Sequence, residues 1–516
     1  MARYKEYSYD QTKLIPLSFK NQIQPGTFEH ALDYIVDNVL DLSVFEGRYH
    51  NDETGATAYD PAIMLKIILF AYSRGIIHSR KIAQCCEENV LFMALAADTR
   101  PHFTTIADFI SSMHDQIVPL FRNILLYCSE EKLISREMFA IDGCKLSSNC
   151  AKEWSGTQED FEKRKKKLEY QVRFLLRKHK ESDDRREQGK ETVRKERKAI
   201  RHLRSKIRKI DRWMRKNEDK PGANGKVKKS NITDNESAKM PSSHGVVQGY
   251  NAAAAVDEKH QVIVHAEAFS EGTDQSLLTP MIEGIRENFK ELGERDVFKK
   301  AKVTADSGFH TENNMRMLLA EGIDAYIADN QFRRRDPRFA DVDRHKKSID
   351  RHHTPLRGKH YFTPSDFKRN ESDGTLICPA GNKLYVRDRN FVDTRGSKGI
   401  AYAGWKTKCR GCGIRRMCLR SPKSEFRQVV IFDPKGKGQR GYFTRKMIEK
   451  FDSAMGRFIY SRRMGTVEPV FANIRHTLGL DRFTLRGRQK VGVQWKLYSM
   501  VHYIFKIYRY GDPYAC

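Results

Sequence analysis

Residues 159–220 constrain the fold most, because they contain 25 Lys and Arg and 13 Asp and Glu and therefore cannot lie in a core. The apolar residues of this segment nevertheless keep a heptad spacing in two runs, separated by a polar stretch at 181–190. These residues are Leu168, Val172 and Leu175, then Val193, Ile200, Leu203, Ile207, Ile210 and Met214. The pattern predicts an antiparallel helical hairpin with a turn near 182–189 and an exit linker at 221–225. One unbroken helix is the alternative.

The core must therefore be assembled from segments on both sides of this hairpin. Residues 28–134 have apolar residues at helical spacing, as in a helix-turn-helix or another small bundle. Beyond them we predict strands at 138–141, 246–256 and 261–269, a helix at 275–289, a strand at 301–305, a helix at 311–321 and a strand at 325–328. With C-terminal helices added, this is the order of a ribonuclease-H-like mixed sheet flanked by helices, in the mixed α/β class.

Two of the predicted strands end in an aspartate, Asp142 and Asp306. The first and fourth strands of such a sheet are neighbours, so we expect these distant carboxylates to meet. Glu468 is the candidate for a third, because Pro469 suits the first turn of a helix that Glu468 would open. Carboxylates that converge without a neutralising partner repel one another, and two Mg²⁺ or Mn²⁺ ions would relieve that repulsion and promote in-line displacement at a phosphodiester. Taken singly, each carboxylate is more often a cap or a salt-bridge partner.

The charge of the whole chain favours a polyanionic partner. Lys and Arg number 94 against 66 Asp and Glu, a net charge of +28. This excess favours nucleic-acid binding, and a merely solubilising charge is the alternative. The sequence contains no run of 18 apolar residues that would predict a membrane span. Residues 1–13 lack the apolar core of a signal peptide, so we expect a cytoplasmic protein.

Four cysteines lie in a region rich in Arg, Lys, Gly and Pro, where we expect short strands at best. Cys409 and Cys412 form a Cys-x-x-Cys pair, Cys418 follows, and Cys378 precedes them. Four thiols can form a tetrahedral structural zinc site, which would stabilise a region poor in apolar residues. Reduced thiols or a redox pair are the alternatives. Three histidines could substitute as ligands: His352, His353 and His360.

Short motifs surround the carboxylates and the strands between them. They are Ile141-Asp142-Gly143-Cys144-Lys145, Gly249-Tyr250-Asn251, Val256-Asp257-Glu258-Lys259, Asp306-Ser307-Gly308-Phe309 and Val467-Glu468-Pro469-Val470-Phe471. In this order they resemble bacterial insertion-sequence DDE transposases, most closely the insertion sequence 1182 group. The similarity covers nearly the whole chain, from Tyr59-Asp60-Pro61 to Arg486-Gly487.

The resemblance implies roles for individual residues. Asp142, Asp306 and Glu468 would be the metal-binding catalytic triad. Three further residues match the family's Tyr-Arg-Glu-Lys signature and would contact DNA: Tyr460, Arg463 and Arg475. Arg475 replaces the usual lysine, and Met464 stands where the family expects its arginine, so the register departs from the signature.

The resemblance also implies an activity. Such an enzyme binds the terminal inverted repeats of its element in double-stranded DNA, cleaves the ends by metal-dependent hydrolysis and joins the 3′ ends to target DNA. It would act as a homodimer or larger assembly, associated with the bacterial nucleoid and not with a membrane. A metal-dependent nuclease without strand transfer, and a catalytically inactive DNA-binding protein derived from a transposase, are the alternatives.

These patterns divide the chain into five parts. They are an N-terminal helical domain for DNA ends at 1–135, the first part of the ribonuclease-H-like core at 136–158 and 226–330, the basic hairpin and linker at 159–225, the Arg- and Cys-rich insertion at 331–440, and the C-terminal helices that complete the core at 441–516.

Overall fold

The computed structural model describes residues 18–49, 57–184, 190–221, 227–242, 245–336, 338, 361–362, 364–370, 373–392, 398–419, 421, 424–432 and 441–511. The chain divides into two compact units, Met1–Asp329 with Ser453–Cys516, and Asn330–Asp452. In the described part of the chain, no helix is both long and apolar enough to cross a membrane.

Among its described residues, the first unit begins with a bundle of six helices. They are α1 (Phe28–Asn38), α2 (Pro61–Ser73), α3 (Ser79–Glu88), α4 (Val90–Leu95), α5 (Phe103–Ser112) and α6 (Ile117–Glu130). Helix α2 starts at Pro61, and the Asp60 side chain accepts a hydrogen bond from the amide of Ala62. Lys66 is buried in α2, where Asp33 and Asp37 of α1 each approach its Nζ to 2.6 Å. This pairing allows a cation to lie within an otherwise apolar helix.

The long charged segment forms the predicted hairpin. After β1 (Met138–Ser147) and β2 (Ser155–Gly156) come α7 (Gln158–Asp184) and α8 (Lys190–Lys216), then the short strands β3 (Lys220–Pro221), β4 (Val227–Lys228) and β5 (Ser230–Asn231). An ion pair joins Lys165 to Asp211 and a hydrogen bond joins His179 to Glu196, so the two helices run antiparallel. Most of the predicted turn and linker lies outside the described residues.

The base of the hairpin is tied together where the two helices meet the core. Gln158 donates its backbone amide to Asp219 at 2.9 Å and its side-chain amide to the carbonyl of Asn217 at 2.8 Å. Phe161 and Trp213 pack edge to face there, 4.7 Å between ring centroids. The chain therefore leaves the core and returns to it at one place.

The main sheet of the first unit has six strands. Its further elements are β6 (Ala238–Ser242), β7 (Gly245–Asp257), β8 (Ile263–Phe269), α9 (Leu278–Glu291), β9 (Lys302–Ala305), α10 (Glu312–Ala320) and β10 (Ala325–Ile327). The strand order is β10-β9-β1-β7-β6, with β8 also paired to β7. Strand β1 is antiparallel to β7 and parallel to β9, which makes the sheet mixed. The predicted mixed α/β class and the predicted pairing of the first and fourth strands are confirmed.

The second unit contains a sheet of its own. Its elements are β11 (Lys368–Arg369), β12 (Leu376–Ile377), β13 (Lys383–Val392), β14 (Lys398–Gly404), α11 (Lys406–Arg410), α12 (Arg415–Cys418), β15 (Gln428–Phe432) and α13 (Tyr442–Asp452). The five strands pair in chain order. The expectation of short strands at best is wrong, because β13 has 10 residues. Leu384 of β13 packs with Tyr402 and Val429 on one face, and this small apolar cluster supports the strand.

Two helices complete the first unit, α14 (Ala454–Ala472) and α15 (Arg488–Tyr510), with a π-helical turn at Asn473–Thr477 between them. Helix α15 is buried between the sheet and the N-terminal helices. Trp495 donates its indole N–H to the carbonyl of Ala253 in β7 at 2.9 Å. On the other side, Tyr498 stacks on Tyr72 of α2, 4.6 Å between ring centroids. Helix α15 therefore joins the bundle to the sheet.

His502 of α15 is buried as a neutral imidazole. Its Nε2 lies 2.9 Å from the carbonyl oxygen of Gln261, and its Nδ1 lies 3.1 Å from the side-chain amide nitrogen of Asn473. A neutral ring that donates from Nε2 and accepts at Nδ1 satisfies both contacts. Burial lowers the pKa of His502 from 6.5 to about 3.

We predict that His502 makes the protein sensitive to acid. Between pH 6.5 and 3 the unfolded chain binds a proton that the folded chain does not, so stability is lost as the pH falls through this window. The free energy of unfolding should fall by up to about 1.4 kcal/mol per pH unit more steeply in wild type than in His502→Gln. Urea unfolding at several pH values measures this difference. His202→Gln, an exposed change on α8, is the control and should follow wild type.

Candidate active site

The parallel pairing of β1 with β9 brings two aspartates to the same level of the sheet. Ile141 is opposite Ala305 in the register, so Asp142 and Asp306 follow one residue later on neighbouring strands. Burial raises the pKa of Asp142, and the negative charge of the neighbouring Asp306 adds to the rise.

Asp142 is held by hydrogen bonds to both carboxylate oxygens. The amide of Gly143 donates to Oδ1 at 2.8 Å, and Nη1 of Arg463 donates to Oδ2 at 2.9 Å. Burial raises the pKa of Asp142, while the Arg463 guanidinium opposes the rise. A Cβ at Gly143 would lie 2.4 Å from Oδ1 of Asn251, so the tight packing beside Asp142 requires glycine here.

Asp306 and a further carboxylate, Asp274, both lie close to Gly308. Oδ1 of Asp306 accepts a hydrogen bond from the amide of Gly308 at 2.8 Å. A Cβ at Gly308 would lie 3.0 Å from Asp306 Oδ1 and 2.9 Å from Asp274 Oδ2, so both carboxylates lie close to the same point beside the glycine. Burial raises the pKa of Asp274, and the charge of Asp306 adds to the rise. The side-chain amide of Asn251 donates to Asp274 at 2.7 Å.

Glu468 is placed differently from the prediction. It does not open a helix but lies near the end of α14, with Pro469 inside the helix. An internal proline removes the backbone hydrogen bond to the carbonyl four residues earlier, which is that of Gly465. The side-chain amide of Gln261 donates to this carbonyl at 3.0 Å. The lost bond is thus replaced, which explains why the proline is tolerated.

These groups share one cleft of about 670 Å³. Its acidic lining residues are Asp142, Asp274, Asp306, Glu468 and Asp481. Lys145 and Arg475 line it as well, and Arg475 also lies close enough to the Cys144 thiol to lower its pKa, although burial raises that pKa overall. The structure therefore collects the three predicted carboxylates and Arg475 on one surface.

Arg463 and Tyr460 lie behind this surface. Arg463 is only 8% exposed, and its guanidinium carbon is 5.6 Å from the centre of the Tyr460 ring. Burial raises the pKa of Tyr460. The prediction treated the carboxylates as lacking a neutralising partner, and this was wrong because Arg463 pairs with Asp142. The spacing of Arg463 and Glu468 in the sequence gave no sign of this pairing.

The donor chemistry of the cleft suits a hard divalent ion, because its acidic groups offer only carboxylate oxygens. In the described part of the chain, however, no three carboxylate, histidine or cysteine side chains are grouped closely enough to hold one ion. Asp142 and Asp306 each already accept a hydrogen bond from a neighbouring amide. The cleft therefore fits a divalent ion in the type of its ligand atoms and in their shared location, but not in their present spacing.

Other residues in the quoted motifs have structural contacts. Asp257 is buried and accepts hydrogen bonds from the amides of Ser135, Arg136 and Lys259 at 2.9 to 3.0 Å. Glu258 pairs with Arg462 of α14 at 2.6 Å. These contacts fix the start of β1 and the position of α14, so the Val256–Lys259 motif supports the cleft without lining it.

The four predicted zinc ligands converge within the second unit. Cys378, Cys409, Cys412 and Cys418 line one cavity of about 30 Å³. Burial raises the pKa of the Cys418 thiol, and the other three cysteines add to the rise. All four are free thiols, although the structure does not group three of them at ligand distance. His352, His353 and His360 lie outside the described residues.

Comparison with known families identifies two segments of the chain. Residues 377–508 match a family described as a transposase DDE domain, and residues 17–112 match a family described as a transposase domain. The first match includes Glu468 and the cysteine cluster, and the second covers most of the helical bundle. Together they support a DDE transposase of the insertion-sequence type. No curated protein matches the chain.

We predict that removing the Arg463 side chain destabilises the fold. Arg463→Met would leave the partly buried Asp142 carboxylate without its counter-ion, at a cost of about 1–3 kcal/mol in the free energy of unfolding. Adding Asp142→Asn should recover part of this loss, because no buried charge is then unpaired. Urea unfolding measures both effects. Lys163→Gln, which breaks an exposed pair with Glu159, should change nothing measurable. Equal losses in the Arg463 and Lys163 variants would contradict the prediction.

Proposed function

We propose that this protein is a DNA transposase of the insertion sequence 1182 group. It binds the terminal inverted repeats of its element, cleaves the ends by metal-dependent hydrolysis and joins the 3′ ends to target DNA. The observation that carries the proposal is the meeting of Asp142, Asp306 and Glu468 in one cleft, although 326 positions separate the first from the last. The two transposase matches support it.

Each side chain has a role in this proposal. Asp142, Asp306 and Glu468 would hold two Mg²⁺ or Mn²⁺ ions, which when bound activate the attacking water or 3′-hydroxyl and stabilise the leaving oxygen. Asp142 is fixed in position by the amide of Gly143 and by Arg463. Arg475 would contact a DNA phosphate, because it lines the same cleft. Tyr460 and Arg463, which the family signature assigns to DNA contact, would instead position Asp142, because Arg463 is buried against this carboxylate and packs on the Tyr460 ring. A homodimer or larger assembly would bring two ends together.

The proposal is tested with labelled element ends, a target plasmid and Mg²⁺. Wild type should release cut ends and joined products, and both should disappear on addition of a chelator. Asp142→Asn, Asp306→Asn and Glu468→Gln should each lower the rate at least about 1,000-fold, because each removes a carboxylate that would hold the metal ions. Asp481→Asn is the matched control, since it removes a carboxylate of the same cleft outside the triad and should retain most activity.

The outcomes separate the competing functions. Cut ends without joined products would favour a nuclease without strand transfer. Specific binding of the ends by wild type with no cutting would favour an inactive DNA-binding protein. Full activity of any triad variant would exclude the assigned carboxylate.

We further propose that the cysteine cavity binds one structural Zn²⁺. Convergence of four thiols on one small cavity supports this, because thiolates are the preferred ligands of structural zinc. We predict one zinc per chain in native mass spectra and its loss in Cys409→Ser and Cys412→Ser. Cys150→Ser, a half-buried thiol of the first unit, should keep the metal. Zinc-free wild type with free thiols, or with a Cys409–Cys412 disulfide, would contradict this assignment.

A further inference from the structure

Helix α8 has an exposed surface that is not part of the proposed catalytic cleft. The helix contains 13 basic and 3 acidic residues. Its apolar side, including Ile200, Ile210 and Trp213, is buried in the hairpin. The opposite side is a row of exposed arginines at every third or fourth position, which we call the arginine stripe. It consists of Arg194, Arg197, Arg201, Arg204, Arg208, Arg212 and Arg215.

The spacing places all seven guanidinium groups on one face. At 3.6 residues per turn, their positions fall within about 80° around the helix axis. The stripe extends over 21 residue steps, or about 32 Å. That length is close to one turn of B-form DNA, which is about 34 Å. An α-helix, about 10–12 Å across, can also lie against a groove about 12 Å wide.

The arginine stripe lacks internal counter-charges. Among the described residues, no carboxylate forms an ion pair with any of its seven members. The three acidic residues of α8 have other partners, since Asp211 pairs with Lys165, Glu191 with Lys195, and Glu196 with Lys178 and His179. Seven like charges on one face repel one another, and a linear polyanion relieves that repulsion along the whole row.

The side chains on the stripe match phosphates rather than bases. Guanidinium groups bind phosphate oxygens in a bidentate manner. Arginine can also read guanine edges, but the stripe presents the same donor group along its whole length, and α8 contains no Asn or Gln to read adenine. We therefore expect its contact with a duplex to follow the backbone.

We propose that the arginine stripe of α8 binds the phosphate backbone of duplex DNA over about one helical turn, outside the catalytic cleft. This inference rests on the proposed function for its choice of DNA as partner. The hairpin would thereby hold a stretch of duplex whatever its sequence, while recognition of element ends belongs to other parts of the protein.

The experiment compares two triple variants of the full-length protein. Arg201→Gln, Arg204→Gln and Arg208→Gln together remove the middle of the stripe. Lys167→Gln, Arg173→Gln and Arg177→Gln remove the same charge from exposed positions on α7. Binding to a 30-base-pair duplex of arbitrary sequence, without Mg²⁺, is measured between 50 and 200 mM salt. Thermal unfolding checks that both variants are folded.

The stripe variant should show a weaker salt dependence. The slope of log affinity against log salt is negative. Each lost phosphate contact makes it less steep by about 0.9, so the loss of three contacts makes it less steep by about 2.7. Over this salt range, wild type should lose roughly 40-fold more affinity than the stripe variant. The α7 variant should resemble wild type.

Several results would overturn the inference. Equal slopes in the two triple variants would show that only net charge matters. A stripe effect on single-stranded RNA but not on duplex DNA would assign the surface to RNA. Because the duplex carries no element end and the assay contains no metal, either result leaves the proposed cleavage activity untouched. Loss of cleavage in the triad variants would likewise leave this binding test intact.

Discussion

The site depends on one backbone interaction, the parallel pairing of β1 with β9. Its register places Asp142 and Asp306 on adjacent strands, directly after the last paired residues. The hairpin of β7 and β8 and the helix α9 lie between them in sequence, so the carboxylates meet only after the sheet has formed. Parallel pairing of distant strands is entropically expensive, and the buried faces of the sheet must offset that cost.

Helix α14 then closes the site from one side of the sheet. It supplies Glu468 to the cleft and Arg463 to the partly buried Asp142, and Arg462 pairs with Glu258, directly after β7. One helix thus provides both an exposed acid and a buried counter-ion. Because Gln261 also binds the carbonyl that Pro469 leaves free, the β7–β8 turn helps set where Glu468 lies along the sheet.

Much of this arrangement could be predicted because it rests on local patterns. Short apolar runs revealed the strands, and their order predicted that Asp142 and Asp306 would be neighbours. Predictions that depended on one residue in isolation were less successful. Pro469 was assigned to the start of a helix because its tertiary compensation by Gln261 is invisible in the sequence. Asp274 was missed because it follows β8 in a turn and has no motif. The Arg463–Asp142 pair joins residues 321 positions apart, which no spacing rule links.

The closed base of the helical hairpin has an evolutionary consequence. Because Gln158 binds both Asn217 and Asp219, the helical hairpin between these residues begins and ends at one point on the core. Whole turns can be added to or removed from α7 and α8 together without moving a single strand of the sheet. The length of the hairpin can therefore diverge between related proteins while the catalytic cleft stays the same.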